Sequence, residues 1–257
     1  MIERFIATFD FHFGWERKGG HKVPLHDPKA WAAVMAFAAD FKPHTWIHGG
    51  DMLDCGAISH HHKGKPGQTE GLRLLADAND GRKVFIEPVE KIVGRNGKLI
   101  YIVGNHEDWL TDLTDEMPAL EGIVDIGTLL HLDKWKIIPQ GGLFKLGRLC
   151  FVHGDTVKGG EHVAKAAVIN YEESIRFGHH HTFQTYTKTS PIQNKLAKTG
   201  VAVPCLCSKD PKYSEGAPNR WVQGFLYGYI RDGGFYHDYV AVIIDGQTTI
   251  HGKVYSG

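Results

Sequence analysis

The residues best suited to chemistry in this chain sit in short turns that follow apolar runs. Ile100–Val103 empties into Gly104-Asn105-His106-Glu107. An amide oxygen beside an imidazole suits a hard or borderline metal and the phosphate that such a metal activates. Four other segments share the design: Phe9-Asp10-Phe11-His12, Gly49-Gly50-Asp51-Met52-Leu53-Asp54, Val152-His153-Gly154-Asp155 and Phe177-Gly178-His179-His180-His181. Asp10 and His12 are two apart, so on extended backbone both side chains point to one face. The same spacing joins His179 to His181 and turns His180 away. Glycines beside these residues let the main chain turn sharply and come close to an ion. Singly, each block is an ordinary loop dipeptide set, as Gly-Asn, Gly-Asp and His-Gly are anywhere. Together they point to a metal site.

The elements that must position these turns alternate along the first half of the chain. Arg4–Phe9 reads as a strand ending at Asp10, Pro28–Phe41 as an amphipathic helix, and Thr45–His48 as a strand running into Gly49-Gly50-Asp51. Residues 68–93 read as helical with breaks at Gly81 and Pro88. Leu99–Val103 is a third strand, followed by a helix near Trp109–Leu120. This βαβ pattern implies a parallel sheet, whose strand C-termini are where open α/β sheets keep their sites. In the second half, Lys136–Pro139, Leu143–Leu146, Leu149–His153, Ser174–Phe177, Leu226–Ile230 and Tyr236–Ile244 are strand-like, with a helix at Glu161–Tyr171. Two packed mixed sheets with helices outside account for both halves. Residues 182–221, rich in Thr, Lys, Pro and Gly, form a functional-loop candidate, since structureless loops of such length are uncommon.

Composition sets the outer bounds. The 257 residues suffice for a full core in one large domain, and 42% apolar content is globular. Lys+Arg and Asp+Glu both number 29, which removes a global basic field but leaves room for a local basic groove. The 17 histidines are many, and they cluster at 60–62 and 179–181. His60-His61-His62 reads equally as a cleft wall or an exposed polar loop, and His48 and His180 stay outside the ligand set. Cys205-Leu206-Cys207 lacks a second Cys pair to complete a zinc site and reads as reduced cysteines in a strand around a buried Leu. The start of the chain has no h-region, and no apolar run approaches the roughly 18 residues of a membrane span, so the expectation is an intracellular, cytoplasmic protein with no membrane partner.

In this order, D-x-H, G-D-x-x-D, G-N-H-[DE], a lone H-G and G-H-x-H, the five blocks resemble the calcineurin-like metallophosphoesterase superfamily over residues 9–181. The resemblance implies a four-layer α-β-β-α sandwich of two mixed sheets flanked by helices, with a dinuclear metal site at strand ends and residues 1–257 as one domain. It implies that Asp10, His12 and His181 hold one divalent ion, that Asn105, His153 and His179 hold a second, and that Asp51 bridges them. A bridging carboxylate offsets the repulsion of cations roughly 3.5–4 Å apart, and a hydroxide shared by them is an adequate nucleophile near neutral pH. The mixed N/O set fits manganese, iron, zinc or nickel without choosing among them, and manganese is the leading expectation. His106 is implied to face the phosphoryl group as acid or charge stabiliser, with Asp54 orienting it and Glu107 in support.

Departures from the family's branches narrow the substrate. Asp54 is followed by Cys55-Gly56 where phosphoprotein phosphatases carry Arg-Gly, and the metal-bound tyrosine of purple acid phosphatases is not evident. The remainder resembles nuclease and phosphodiesterase branches, including small phosphoesterases of bacteriophages. Lysines 188, 195, 198, 209 and 212 with Arg220, interleaved with Tyr186, Tyr213 and Trp221, make 182–225 a substrate-facing candidate for a nucleic-acid phosphodiester. The competing expectations are a phosphomonoesterase or small-nucleotide phosphodiesterase with a closed pocket, and an idle scaffold. The scaffold is disfavoured because every ligand position and His106 is filled.

Overall fold

A computed structural model describes residues 2–190, 192, 197–211 and 219–257. The elements run β1 (Glu3–Thr8), β2 (Trp15–Lys18), β3 (His21–Pro24), α1 (Pro28–Phe41), β4 (Thr45–His48), α2 (Pro66–Thr69), α3 (Leu74–Gly81), α4 (Glu87–Val93), β5 (Lys98–Ile102), α5 (Asn105–Glu116) and α6 (Ile126–Leu130). They continue as β6 (Lys136–Ile138), β7 (Phe144–Leu146), β8 (Leu149–Val152), α7 (Val163–Tyr171), β9 (Ser174–Phe177), β10 (Gln184–Lys188), β11 (Lys198–Ala202), β12 (Gln223–Ile230), β13 (Tyr236–Ile243), β14 (Gln247–Ile250) and β15 (Lys253–Ser256). The result is a mixed α/β fold with two mixed sheets. The larger has the order β13-β12-β1-β4-β5-β6, the smaller β10-β11-β9-β8-β7. Strands β1, β4, β5 and β6 are mutually parallel, as are β8, β9 and β11, while β12, β13, β7 and β10 run antiparallel to their neighbours.

Side-chain alternation sorts the core. One face of the larger sheet, with Phe5, Ala7, Phe9, Ile47, Ile100 and Ile102, joins Leu149, Phe151 and Val201 of the smaller sheet in one apolar cluster. The opposite face, with Ile6, Trp46, Tyr101 and Phe225, meets Trp31, Val34 and Phe37 of α1 and Val89 of α4. The far face of the smaller sheet, with Val152, Ile175 and Phe177, packs on Val163, Ala167 and Val168 of α7. A bidentate ion pair ties the sheets: the Arg176 guanidinium on β9, 2% exposed, donates to both Asp238 carboxylate oxygens on β13 at 2.5 and 2.9 Å. Burying this charge is tolerable because Arg176 also donates to the main-chain oxygens of Ile175 and Thr199.

Helix α1 begins where its sequence dictates. The Asp27 carboxylate caps the N–H groups of Lys29 and Ala30, and Pro28 occupies the first turn, where a missing N–H costs nothing. Three expectations are corrected. Within 68–93 the interruption lies at residues 70–73 and not at Gly81 or Pro88: α3 passes through a π-helical turn at Arg82–Ile86 straight into α4. The π turn displaces the hydrogen-bond ladder, and Pro88 falls in the first turn of α4, where its missing N–H is tolerated. A β-carbon at Gly81 would press on Phe13 and Leu53 at 3.1–3.2 Å, so this glycine serves close packing. The helix expected near Trp109–Leu120 starts at Asn105 instead, immediately after the strand-end turn. The long 182–221 segment contributes β10 and β11 to the smaller sheet, because Gly200, Val201 and Ala202 pair in parallel with β9.

The small hairpin β2–β3 returns the chain to His26, which lies against Phe13 (ring centroids 4.7 Å) and Phe11 (5.2 Å). Burial pushes its pKa down to about 4, only partly opposed by Asp27. The unfolded chain therefore binds this proton near pH 6.5 and the folded chain does not, so stability is lost as pH falls from about 6.5 toward 4. The expected outcome for His26→Phe is an acid-unfolding midpoint moved to lower pH, followed by tryptophan fluorescence. An unchanged midpoint would assign the acid sensitivity to other groups.

Candidate metal centre

All five turns singled out in the sequence meet at one end of the two sheets, at the C-termini of β1, β4, β5, β8 and β9. Asp10, His12 and His181 present ligand atoms within 4.8 Å of one another, and Asp51, His153 and His179 form a second such group. Asp51 lies near both, with its Oδ2 3.3 Å from His153 Nε2 and 3.8 Å from His12 Nε2. The Asn105 side-chain oxygen stands 2.9 Å from both His153 Nε2 and His179 Nδ1. Every residue in the expected ligand set is thus brought together. Five of the seven, Asp10, His12, Asp51, His179 and His181, have φ between 50° and 65°. Left-handed backbone is unfavourable for such residues and persists where surrounding structure imposes it, as at functional sites.

The chemistry of the donors fits a cation. His153 Nδ1 faces the Gly49 main-chain oxygen at 2.9 Å, and His12 Nδ1 faces Asp54 Oδ1 at 3.3 Å. Carbonyl and carboxylate oxygens only accept, so in both rings Nδ1 carries the proton and Nε2 turns inward. His153 Nε2 then meets two oxygen acceptors, and His12 Nε2 meets His181 Nε2 at 3.3 Å. Lone pairs facing one another across these distances repel unless a proton or a metal ion lies between them. Donation of the outer ring N–H to a protein oxygen is also how metal-binding histidines are held in register.

Electrostatics in the metal-free protein follows the same lines. Burial alone would raise the Asp51 pKa, but His153, His106 and His12 hold it well below the carboxylate range. Burial would lower His153, yet Asp51 and Asp10 push it up to about 10. Burial, reinforced by the His153 charge, takes His179 down to about 4.

Glu107 accepts five hydrogen bonds. Its carboxylate, 2% exposed, accepts the main-chain N–H groups of Asp51, Met52, Leu53 and Gly104 and the Tyr101 hydroxyl, at 2.5–3.1 Å. It therefore fastens the Gly-Asp turn after β4 to the Gly-Asn-His-Glu turn after β5. Gly104 must be glycine, since a β-carbon there would run into the Asp51 carboxylate.

His106 is placed differently from the expected carboxylate–imidazole pair. Its Nδ1 is 2.8 Å from the main-chain oxygen of Asp54 and 3.6 Å from Asp54 Oδ1, because that carboxylate leans toward His12. The His106 N–H donates to Asp51 Oδ1 at 3.0 Å. Cys205 and Cys207 are buried and free, paired through isolated bridges to Gln223 and His26 and not within a continuous strand. Leu206 enters the core, while Cys207 Sγ lies 3.6 Å from His181 Nδ1. His61 and His62 line the cleft beside the site, and His60 packs on Trp109.

In the basic 182–225 segment, Lys195, Lys212 and Tyr213 lie outside the described residues. Arg220 is paired with Glu161, Tyr186 packs on the α7 core, and Trp221 sits against His181 with ring centroids 4.2 Å apart. Sequence reasoning missed the cleft walls Trp15, Leu25, Leu72 and Trp109. For Trp109 a signal existed: it lies three residues after His106 on one helix, hence on the same face.

No family model matches the chain. It is 23% identical over 248 residues to the Gene 54 protein of Mycobacterium phage L5, covering 91% of this chain and 95% of that protein. It is 24% identical over the same length to the Gene 54 protein of Mycobacterium phage D29, with the same coverage. Among solved structures it is similar to a metallophosphoesterase from Sphaerobacter thermophilus, at 12% identity and a TM-score of 0.43, covering 94% of this chain and 88% of that one. Among the described residues no helix is long and apolar enough to cross a membrane.

Two outcomes follow from this geometry. Glu107→Gln places an amide NH2 where main-chain donors converge, and is expected to cost roughly 2–3 kcal/mol in chemical denaturation and to weaken Mn²⁺ binding. Wild-type stability in that variant would deny the fastening role. Asp51 and Asp10 hold the His153 pKa above its ordinary value, so a cation taken up at its Nε2 would displace a proton: Mn²⁺ affinity should rise with pH and binding should release about one proton. Calorimetry in buffers of different ionisation enthalpy measures that release, and its absence would remove His153 from the ligand set.

Proposed function

We propose that this chain is a phosphoesterase of the calcineurin-like type, dependent on two divalent transition metal ions and acting on phosphodiesters. On this reading the packed sheets and outer helices are a four-layer α-β-β-α sandwich, and residues 1–257 act as one domain. The observation that carries it is the set of imidazoles whose Nδ1 atoms are anchored on Asp54 and Gly49 and whose Nε2 atoms converge with two buried carboxylates. Asp10, His12 and His181 would hold one ion, Asn105, His153 and His179 the other, with Asp51 shared, and manganese is the first metal to test among those that mixed N/O donors accept. Bound there, the ions supply Lewis acidity toward the phosphoryl group and lower the pKa of water enough for attack near neutral pH.

The chain's own residues then divide the remaining work. His106 is fixed through Nδ1 by the Asp54 carbonyl, which leaves Nε2 to give a proton to the departing ester oxygen. Asp54 steadies His106 through its main chain and His12 through its side chain. Asp51 receives the His106 N–H, so the position of the acid is tied to the bridging carboxylate.

Nucleic acid is the leading substrate class, supported by the basic and aromatic residues of 182–225, with Trp221 beside His181. The similarity to two mycobacteriophage proteins supports a phage-encoded enzyme working in the host cytoplasm. The second reading, a small-nucleotide phosphodiesterase or phosphomonoesterase, is favoured by how much of that basic segment is tied up: Arg220 is paired and Tyr186 is core-anchored.

The deciding assay compares bis-p-nitrophenyl phosphate, p-nitrophenyl phosphate, and single- and double-stranded DNA and RNA with Mn²⁺. Cleavage of the diester and of a nucleic acid is expected; hydrolysis of the monoester alone would overturn the diesterase reading. His106→Ala should keep its metal, measured by elemental analysis, and lose turnover by roughly 10²–10⁴-fold. Undiminished turnover would refute its role as acid.

A further inference from the structure

A cleft of about 580 Å³ opens directly beside the candidate metal centre. That is well beyond the space of a phosphoryl group and falls in the roughly 300–1,000 Å³ range of sites for organic ligands. One wall is the metal-ligand cluster with His106. The other is apolar and aromatic, made by Trp15, Leu25, Leu72 and Trp109, with Gln68 and Arg17 as polar members.

Both indoles are held in place. Trp109 is 7% exposed, with its ring 4.3 Å from that of His106 and His60 at 5.0 Å. Trp15 is wedged near Phe13 and His26, with the Lys22 ammonium 4.5 Å from its ring centre. Within this wall, the β2–β3 hairpin is joined to the segment before Leu72 where Arg17 Nε donates to the Glu70 main-chain oxygen at 3.4 Å. Since Trp109 touches His106 and lines the cleft, an organic group esterified to a phosphate at the metal centre has room along this wall.

We propose that this wall binds the nucleoside part of the substrate, with the base against the half-buried Trp15, the buried Trp109 closing the end nearest His106, and the amide of Gln68 at its polar edge. The inference rests on the phosphoesterase reading and names what that site takes. A planar heteroaromatic ring fits because stacking satisfies its faces while Gln68 and Arg17 offer hydrogen bonds at its rim, the combination by which bases are held without a strict sequence code. An aliphatic ester would leave the fixed Trp15 indole with no matching face.

The test has a binding arm and a turnover arm. Equilibrium dialysis of the purified protein, with and without Mn²⁺, compares thymidine 5′-phosphate with inorganic phosphate. The nucleotide is expected to bind at least tenfold tighter, the order one base–aromatic stack supplies. Trp15→Ala should remove roughly tenfold of that preference and Trp15→Phe should restore most of it. In turnover, thymidine 5′-p-nitrophenyl phosphate should exceed methyl p-nitrophenyl phosphate in kcat/KM, and Trp15→Ala should shrink the ratio chiefly through KM. Equal binding of nucleotide and phosphate by the wild-type protein, or an unchanged preference in both Trp15 variants, would overturn the proposal. Loss of hydrolysis of both esters would instead sink the phosphoesterase reading, while dialysis still decides the cleft. Competition by a 5′-phosphorylated tetrathymidylate as strong as that by the mononucleotide would identify a strand end as the source of the bound nucleoside.

Discussion

The Glu107 carboxylate is the constraint on which the site depends. Four main-chain donors from two different turns, and one phenol, converge on a single buried side chain. Each donor would otherwise be an unpaired N–H in a dry interior. Burial and the neighbouring Asp51 charge raise the Glu107 pKa, opposed by the Tyr101 and Gly104 bonds, so the arrangement holds a charge where charge is disfavoured. What it secures is the spacing between Asp51 and the Asn105-His106 pair at the start of α5. Parallel pairing of β4 and β5 brings the turns alongside each other, and Glu107 locks them.

A second layer of control acts on the rings. His12, His106 and His153 are each oriented from behind, by Asp54 Oδ1, the Asp54 carbonyl and the Gly49 carbonyl. The left-handed backbone at Asp10, His12, Asp51, His179 and His181 aims side chains that ordinary strand geometry would point elsewhere. Such conformations cost on the order of 1–3 kcal/mol each. They are sustained by apolar clusters on both faces of the larger sheet, which make the strand ends rigid. The same rigidity sets the aromatic wall facing His106, so one scaffold fixes both the converging donors and the shape of the adjoining cleft.

Much of this was legible in advance, and the misses share a cause. Helix α1 and strands β4 and β9 have the bounds their sequence implies, because caps, apolar periodicity and flanking glycines are local signals. Gly81 and Pro88 break helices by local rules, whereas over 74–93 a π turn and the packing of Gly81 against Phe13 and Leu53 carry the helix through. Strands β10 and β11 were missed because their residues carry little alternation and owe their conformation to pairing with β9. Asp54 touches His106 through its main-chain oxygen, which no side-chain pattern discloses.

The sequence by itself determined the inventory: five turns of metal-type residues, each at the end of an apolar strand, with glycines where the backbone must turn. Those are properties of residue type and short spacing, and they need no partner to be read. The tertiary structure decided the pairings, between His12 and Asp54 across 42 residues, His153 and Gly49 across 104, and His12 and His181 across 169. It also decided that Trp15, Leu72 and Trp109 face a common space beside His106. Hydrogen-bond direction and cleft shape arise only when distant segments are packed to within a few ångströms, so a one-dimensional pattern carries the ligands but not the arrangement that gives them a use.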